Sequence, residues 1–200
     1  MGGCQVIRHL LNNWTIFHFD YSANIHPPLI GGFYVAIIIG GSCLGRICTF
    51  FGHRFLIGFT REHKQKLKEL ILDLINNHDV DTFWVSHYGE FDDTTRQIVF
   101  EIKKTINPNI NIFLVRPYNF GNSEMQKEEK EWLEHIYDHV FTPLETIESP
   151  PRFAITRRNK FMAENCDFMI CFVRNPYGGA YKAMRRAQNC GKTVFNLYKK

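Results

Sequence analysis

The segment Phe168–Val173 reads F-M-I-C-F-V, and residues 174–179 continue it as R-N-P-Y-G-G. An unbroken apolar run of this kind is typical of a central strand that helices cover on both faces. The glycine pair is followed by a predicted helix that ends at Asn189-Cys190-Gly191, and a last strand is predicted from Thr193 to Leu197. This strand–helix–strand pattern predicts a parallel α/β unit.

The same alternation extends back to Arg46. Strands are predicted at Ile47–Phe51, Thr82–Ser86 and Ile110–Val115. Helices are predicted after a Thr60 cap, after an Asp92 cap, from about Ser123 to His135, and from Arg152 to Glu164. Residues 116–151 are otherwise irregular. The fold class predicted for residues 46–200 is α/β: a Rossmann-like, doubly wound, mainly parallel sheet with helices on both faces.

Composition and net charge exclude few classes of function. The chain has 200 residues, 44% hydrophobic content and a net charge of +4, which is too mild to indicate a nucleic-acid surface. It is compatible with a small anionic ligand held by a few local cations. The six cysteines form no C-x-x-C pair, so the usual zinc spacing is absent. We therefore expect a reduced, cytoplasmic protein with no metal and no cofactor, and its oligomeric state, including a homo-oligomer, stays open.

Residues 1–45 are predicted to be an N-terminal extension outside the folded core. The stretch from Pro27 to Gly45 carries no charged side chain, and that length can span a bilayer. Its two prolines and its glycines weaken a helix, so a membrane segment is disfavoured. A signal peptide also fits poorly, because Arg8 is the only early positive side chain and Asp20 follows it.

A different start of translation is a further hypothesis for this extension. Gly40-Gly41 can be encoded by a ribosome-binding sequence, and Leu44 by a bacterial UUG start codon. Residues 1–43 would then be translated upstream DNA. N-terminal mass spectrometry of protein from the native locus tests this, and a mature chain that retains Met1 would contradict it.

The candidate binding residues follow the predicted strands. Ligands of open α/β sheets bind beyond the carboxyl ends of the strands, where this chain places glycines beside charged or aromatic side chains. From these loops we predict a ligand site made of Gly52, His53, Arg54, Tyr88, Gly89, Phe91, Asn175, Tyr177, Gly178 and Gly179. A further loop, Arg116-Pro117-Tyr118, follows the third strand.

The residue types in these loops suit a nucleotide. Glycines allow the backbone to approach a phosphate, and a following helix N-terminus supplies N–H groups. Arg54 could form a bidentate pair with phosphate oxygens, and Tyr88, Phe91 or Tyr177 could stack on a base. Structural roles compete with this interpretation. Gly52 and Gly89 could be turn glycines, His53 a hydrogen-bonded structural histidine, and Asp92 a helix cap.

Two segments carry a resemblance to a known family: C-T-F-F-G-H-R at 48–54 and R-R-N-K-F-M at 157–162. The first resembles the opening strand and turn, and the second the R-N-x-x-M helix, of the DUF1273 (YoqJ/YpsA-like) branch of the SLOG superfamily. That superfamily includes the DprA and LOG proteins. The Gly178-Gly179 turn and G-K-T-V at 191–194 match the last elements of that branch. The resemblance covers about residues 46–197. It implies a Rossmann-like fold that binds nucleotides or their derivatives, and it adds Arg158 and Asn159 to the site.

One departure from the family pattern bears on catalysis. The LOG phosphoribohydrolases carry P-G-G-x-G-T-x-x-E, whereas this chain has P-Y-G-G-A-Y-K-A-M-R at 176–185. Arg185 stands where the resemblance places the catalytic glutamate. The LOG reaction is therefore not expected, while ligand binding is unaffected.

Three functions are compatible with the sequence. The leading one is a nucleotide-binding sensor or regulatory module, in stress, phage or mobile-element biology. An enzyme that cleaves an N-glycosidic bond of a nucleotide or an NAD-like ligand is the alternative, with Glu90 as the first candidate carboxylate and Asp92 as the second. The third is a protein-interaction module with a vestigial pocket, for which the Ser123–His135 helix would be a contact surface.

Overall fold

The chain divides into two compact units, Met1–Leu44 and Gly45–Lys200. The computed structural model describes residues 8–11, 14–18, 35–39, 42–43 and 45–198. Most of the charge-free segment from Pro27 to Gly45, with Gly40, Gly41 and Leu44, lies outside the described residues. The predictions made for that segment therefore stay predictions.

The described part of the first unit consists of four strands that pair antiparallel in chain order. Their bounds are Arg8–Leu11 (β1), Trp14–His18 (β2), Val35–Ile39 (β3) and Ser42–Cys43 (β4). Sequence patterns did not predict these strands.

The second unit alternates strands and helices. Its strands are Arg46–Gly52 (β5), Val80–Val85 (β6), Asn111–Val115 (β7), His139–Phe141 (β8), Phe168–Phe172 (β9) and Thr193–Asn196 (β10). Its helices are Arg61–Asn77 (α1), Glu90–Thr105 (α2), Glu124–Ile136 (α3), Leu144–Ile147 (α4), Ala154–Asn165 (α5) and Gly178–Asn189 (α6), with a 3-10 turn at Pro151–Phe153 before α5. None of the helices in the described residues is both long and apolar enough to cross a membrane.

The six strands described in this unit are all parallel, in the order β10-β9-β5-β6-β7-β8. The predicted fold class is confirmed. The chain proceeds outward from β5 through β6 and β7 to β8, and then returns to place β9 on the other side of β5. The order of the strands thus reverses between β5 and β9. A crevice at the carboxyl end of such a reversal is where open α/β sheets bind ligands.

Alternate side chains of the strands pack on opposite faces of the sheet. Phe83 belongs to the core formed with α1 and α2, where it lies with residues such as Leu67 and Ile98. Its neighbour Trp84 faces the other way and stacks on Phe161 of α5, with 5.3 Å between ring centres. Helices therefore cover both faces, which explains why the strands are apolar on both sides.

The observed elements differ from the predicted ones mainly in two places. Residues 116–151 contain β8 and α4, neither of which was predicted, because both are short and neither carries a run of buried apolar residues. The predicted Asp92 cap is wrong, since α2 begins at Glu90 with Gly89 as its N-cap residue. The predicted Thr60 cap of α1 is confirmed by a hydrogen bond from the His63 backbone N–H to the Thr60 hydroxyl.

Candidate functional site

A histidine joins the two strands between which the order reverses. The Nε2 atom of His53, directly after β5, accepts hydrogen bonds from the backbone N–H groups of Arg174 and Asn175, after β9, each at 3.1 Å. Burial, and then the positive charge of Arg174, lowers the pKa of His53 below its usual value. The ring is thus a neutral acceptor with its proton on Nδ1, and it fixes the spacing of the two loops.

Beside this bridge lies a cleft of about 170 Å³, which we call the α5 cleft. It is bounded by β5 and its following loop, by the residues after β6, by α5, and by the first turn of α6. Its lining residues are Phe51, Gly52, His53, Arg54, Ser86, Tyr88, Asp92, Ile155, Arg158, Asn159, Gly179 and Ala180. Eight of these were predicted as site residues. Phe51, Ser86, Ile155 and Ala180 were not, because their side chains carry no distinctive signal in the sequence.

Arg158 is the most unusual residue of the α5 cleft, because it is only 3% exposed. Its Nε and Nη2 atoms donate to Oδ1 of Asn159 at 3.1 and 2.7 Å, and Nη1 donates to the Val115 carbonyl at 3.5 Å. All of these acceptors are neutral. Arg158 forms no salt bridge with any residue that the structure describes. Asp92 in the same cleft favours the charged form of Arg158 electrostatically but forms no salt bridge with it. A buried guanidinium without a direct ion pair is costly, and an anion in the cleft would compensate that cost.

Asp92 supplies the only carboxylate among the lining residues of the α5 cleft. It is 8% exposed, and its Oδ2 atom accepts hydrogen bonds from the Ser86 hydroxyl and from the Tyr88 backbone N–H. Burial raises its pKa, while these two hydrogen bonds and the charge of Arg158 oppose the rise. Within the described chain only Oδ2 is engaged in this way, so Oδ1 is free to accept a hydrogen bond from a ligand hydroxyl.

The first turn of α6 borders the same cleft. Its N-cap residue Tyr177 makes no side-chain hydrogen bond to the helix, and its first turn holds no acidic residue. Gly178 has a φ of +89°, and Gly179 has only the Asn159 side chain near the position of an added Cβ, at 3.5 Å. The backbone N–H groups of this turn are therefore open to an anion, which the positive end of the helix dipole attracts.

Two further predicted glycines, Gly52 and Gly89, pack closely against other segments of the same chain. A Cβ at Gly52 would lie 2.3 Å from the Cβ of Phe91, so only glycine allows α2 to approach β5 this closely. Gly89 has a φ of +147°, and a Cβ there would lie 3.0 Å from the Cα of Arg54. The Glu90 backbone N–H also donates to the Arg54 carbonyl at 3.1 Å. The structure thus brings the Gly52–Arg54 and Tyr88–Glu90 loops together.

Some predicted site residues lie elsewhere. The stacking role predicted for Phe91 is wrong, because its ring is 0% exposed and packs against Phe59 and Phe172 in the core. The Glu90 carboxylate accepts a hydrogen bond from the Leu56 backbone N–H at 2.7 Å, and Glu90 does not line the α5 cleft. Tyr177 is 68% exposed and likewise lies outside the lining.

A second cleft, of about 150 Å³, adjoins the first and shares His53 and Arg54 with it. We call it the β9 cleft, since its other lining residues are the loop residues Phe55 and Ile57 together with Phe172, Arg174 and Asn175. Asn175 was predicted as a ligand residue, whereas Phe55, Ile57, Phe172 and Arg174 were not. The sequence signals near these residues were the G-H-R turn before Phe55 and the R-N-P-Y-G-G segment after the apolar strand, and neither singles out Phe55, Ile57 or Phe172.

Known proteins share the architecture of this chain but little of its sequence. No protein-family model matches the chain, and no curated protein matches it. The X-ray structure of DNA processing protein A (DprA) from Streptococcus pneumoniae is similar, with a TM-score of 0.53 and 16% identity over 76% of this chain. The match covers 50% of the DprA chain, so this chain spans about half the length of that protein.

At this identity the similarity establishes the fold alone. The six parallel strands, the reversal between β5 and β9, and the match to DprA agree with the SLOG resemblance of the sequence at the level of architecture. Residues 45–198 therefore have a DprA-like, Rossmann-like α/β fold.

Proposed function

We propose that the α5 cleft binds the phosphate-bearing part of a nucleotide or nucleotide derivative, and that the protein acts as a sensor or regulatory module. The observation that carries this proposal is Arg158, a buried arginine whose hydrogen-bond acceptors are all neutral. Buried charges in proteins normally have a charged partner. A phosphate is a partner that the guanidinium fork can bind in bidentate fashion.

The surroundings of Arg158 favour an anion over a neutral ligand. The uncapped N-terminus of α6 lies at the same cleft, and Arg54 adds a further positive charge to the lining. Among the described lining residues Asp92 is the single carboxylate, and burial disfavours its ionised form. The field in the cleft is therefore positive.

The size of the cleft indicates which part of the ligand is enclosed. Pockets that bury a whole small molecule are about 300–1,000 Å³, whereas the α5 cleft has about 170 Å³. A phosphate with part of a sugar fits this volume. The base would then lie at the rim, where the Tyr88 ring is 46% exposed and offers a face for stacking.

Nucleic acid is a related ligand, and the name of DprA associates that protein with DNA. We keep the nucleotide as the proposed ligand because the charge is local to the cleft and the net charge of the chain is only +4. Membership of the DUF1273 branch is part of the same proposal, and it is supported by the placement of Arg158 and Asn159 of the R-N-x-x-M segment in the cleft.

The enzyme alternative now depends on Asp92. Cleavage of an N-glycosidic bond needs a carboxylate near the ribose to stabilise positive charge or to activate water. Asp92 lines the cleft with a free Oδ1 atom, while Glu90 is committed to the Leu56 backbone. If the protein hydrolyses a nucleotide, Asp92→Asn should abolish turnover and retain binding, and Glu90→Gln should retain turnover.

A thermal-shift screen of the full chain tests the proposed function. The panel would contain AMP, ADP, NAD, ADP-ribose, cyclic dinucleotides and a short single-stranded DNA, with Arg54→Ala as the variant. A ligand at 100 times its Kd stabilises a protein by about 2.7 kcal/mol, which raises Tm by several degrees. A nucleotide-specific shift that weakens in the variant is expected. A shift with DNA alone would replace the nucleotide by a nucleic acid, and no shift with any member would contradict the proposal.

A further inference from the structure

Neither cleft at the switch between β5 and β9 can hold a whole nucleotide. The α5 cleft has about 170 Å³ and the β9 cleft about 150 Å³, both below the size of a typical small-molecule pocket. The two clefts meet at His53 and Arg54, which line both. A ligand that fills one cleft and extends past Arg54 would therefore enter the other.

The loop that borders the β9 cleft holds two large apolar side chains in solvent. Phe55 is 64% exposed and Ile57 is 62% exposed. The residues around them are fixed, because Leu56 donates its backbone N–H to Glu90 and its carbonyl accepts from the Phe59 N–H at 3.1 Å. Leu56 and Phe59 also pack against the core. The outward direction of Phe55 and Ile57 is thus built into the loop.

The charges at this cleft are positive and unpaired. Arg54 and Arg174 both line it, and neither forms a salt bridge with a residue in the described part of the chain. No carboxylate side chain is among the lining residues. An exposed aromatic ring beside free arginines is the combination that proteins use to stack a base and to contact the adjoining phosphate.

We propose that the β9 cleft is a second nucleoside subsite, so that the two clefts together bind a dinucleotide unit. This inference rests on the proposed function of the α5 cleft. The phosphate and part of the sugar of one nucleotide occupy the α5 cleft, with its base at the rim. Arg54 contacts the linking phosphate, and the second base packs on Phe55 and Ile57 near Arg174. The ligand class is two nucleosides joined through phosphate, either as a free dinucleotide or as part of a single strand.

The test compares a dinucleotide with a mononucleotide of the same charge. Isothermal titration calorimetry on the full chain would measure Kd for ADP and for the linear dinucleotide pApA, which carries a similar charge and one more nucleoside. The variant is Phe55→Ala. Met125→Ala is the matched control, because Met125 is 76% exposed on α3 and lines neither cleft.

We expect pApA to bind about tenfold more tightly than ADP, which is the size of one base–aromatic contact. Phe55→Ala should remove that gain and leave the Kd for ADP within twofold, and Met125→Ala should change neither value. If affinity keeps rising for longer oligonucleotides, the natural ligand is part of a single strand. If affinity reaches a plateau at pApA, the natural ligand is a free dinucleotide.

Two results would overturn the inference while the proposed function stands. These are equal affinities for ADP and pApA, or a preference for pApA that Phe55→Ala leaves intact. Failure of both ligands to bind would instead remove the nucleotide site itself.

Discussion

The guanidinium carbon of Arg158 lies 5.0 Å from the centre of the Tyr88 ring. This contact joins α5 to the loop after β6 and covers a buried cation that forms no salt bridge among the described residues. Cation–π contacts contribute about 0.5–2 kcal/mol, and more when they are desolvated. Tyr88 therefore compensates part of the cost of burying Arg158 and holds its guanidinium at the α5 cleft.

Two substitutions of Tyr88 should distinguish the contribution of its ring to nucleotide binding from that of its hydroxyl. Tyr88→Phe keeps the aromatic face, so nucleotide affinity should stay within about twofold of wild type. Tyr88→Ala removes the face that orients Arg158 and should weaken binding about tenfold. Calorimetric titration of both variants measures this. Equal losses in the two variants would show that the hydroxyl, rather than the ring, matters.

Gly52→Ala should destabilise the second unit. The added methyl would lie 2.3 Å from the Cβ of Phe91, and no rotamer change of Phe91 can move a Cβ that the α2 backbone fixes. Overpacking of this kind costs about 1–3 kcal/mol. Urea denaturation measures the loss, with Gly179→Ala as the control, because its nearest contact would be an ordinary 3.5 Å. Wild-type stability of Gly52→Ala would contradict the packing described here.

His53 should make the stability of the fold sensitive to acid. Burial, and then Arg174, lowers the pKa of His53 from its usual 6.5, so the unfolded chain binds the proton more readily than the folded chain. The contribution of His53 to stability is complete above pH 6.5 and is lost as the pH falls through its lowered folded pKa. Protonation would also remove the acceptor that joins the β5 and β9 loops.

The test of this acid sensitivity is His53→Gln, whose amide oxygen can accept the same two N–H groups without titrating. Its free energy of unfolding should fall less between pH 7.5 and pH 5 than that of wild type. His87, whose pKa burial lowers to about 4, titrates in the same direction in both proteins. His135→Gln, at an exposed position of α3, is the control. If His53→Gln kept the wild-type pH dependence, the role given to His53 would be wrong.

Much of the fold was predictable because strong local signals agree with it. The apolar run at β9, the Thr60 cap and the one-faced periodicity of α1 each indicate one structure, and the parallel α/β sheet follows from their alternation. The strand β8 was not predicted because it has only three residues, all partly buried, at the edge of the sheet. So short a segment carries neither an apolar run nor a clear alternation.

The site was predictable as a set of loops and less so as individual side chains. Gly89, with its positive φ, is the N-cap residue of α2 and lies three residues before Asp92. This start of the helix turns Phe91 into the core and places Asp92 in the cleft. No sequence pattern reveals that Glu90 bonds the Leu56 backbone, or that this contact holds Phe55 and Ile57 in solvent. These are tertiary contacts between loops that lie about thirty-four positions apart in the chain.

Asp92→Asn should leave the protein at least as stable as wild type at pH 7. Burial raises the pKa of Asp92, so the carboxyl group favours folding when it is protonated, and that contribution is lost as the pH rises through its folded pKa. The amide imitates the protonated form. Urea denaturation should show that the difference in the free energy of unfolding between Asp92→Asn and wild type is smaller at pH 4.5 than at pH 7. A loss of more than about 1 kcal/mol at pH 7, the scale of one hydrogen bond, would indicate that the ionised group stabilises Arg158.

The central claim is that Arg158 is buried in order to bind an anion, and two neighbouring arginines allow a direct test. Arg158→Lys keeps the charge but loses the planar fork of donors, whereas Arg157→Lys makes the same change at an exposed position of the same helix. Isothermal titration calorimetry with ADP should show at least a tenfold weaker Kd for Arg158→Lys, because a hydrogen bond to a charged group is worth about 1.5–3 kcal/mol, and a wild-type Kd for Arg157→Lys. Wild-type affinity in Arg158→Lys, with the fold intact, would contradict the claim.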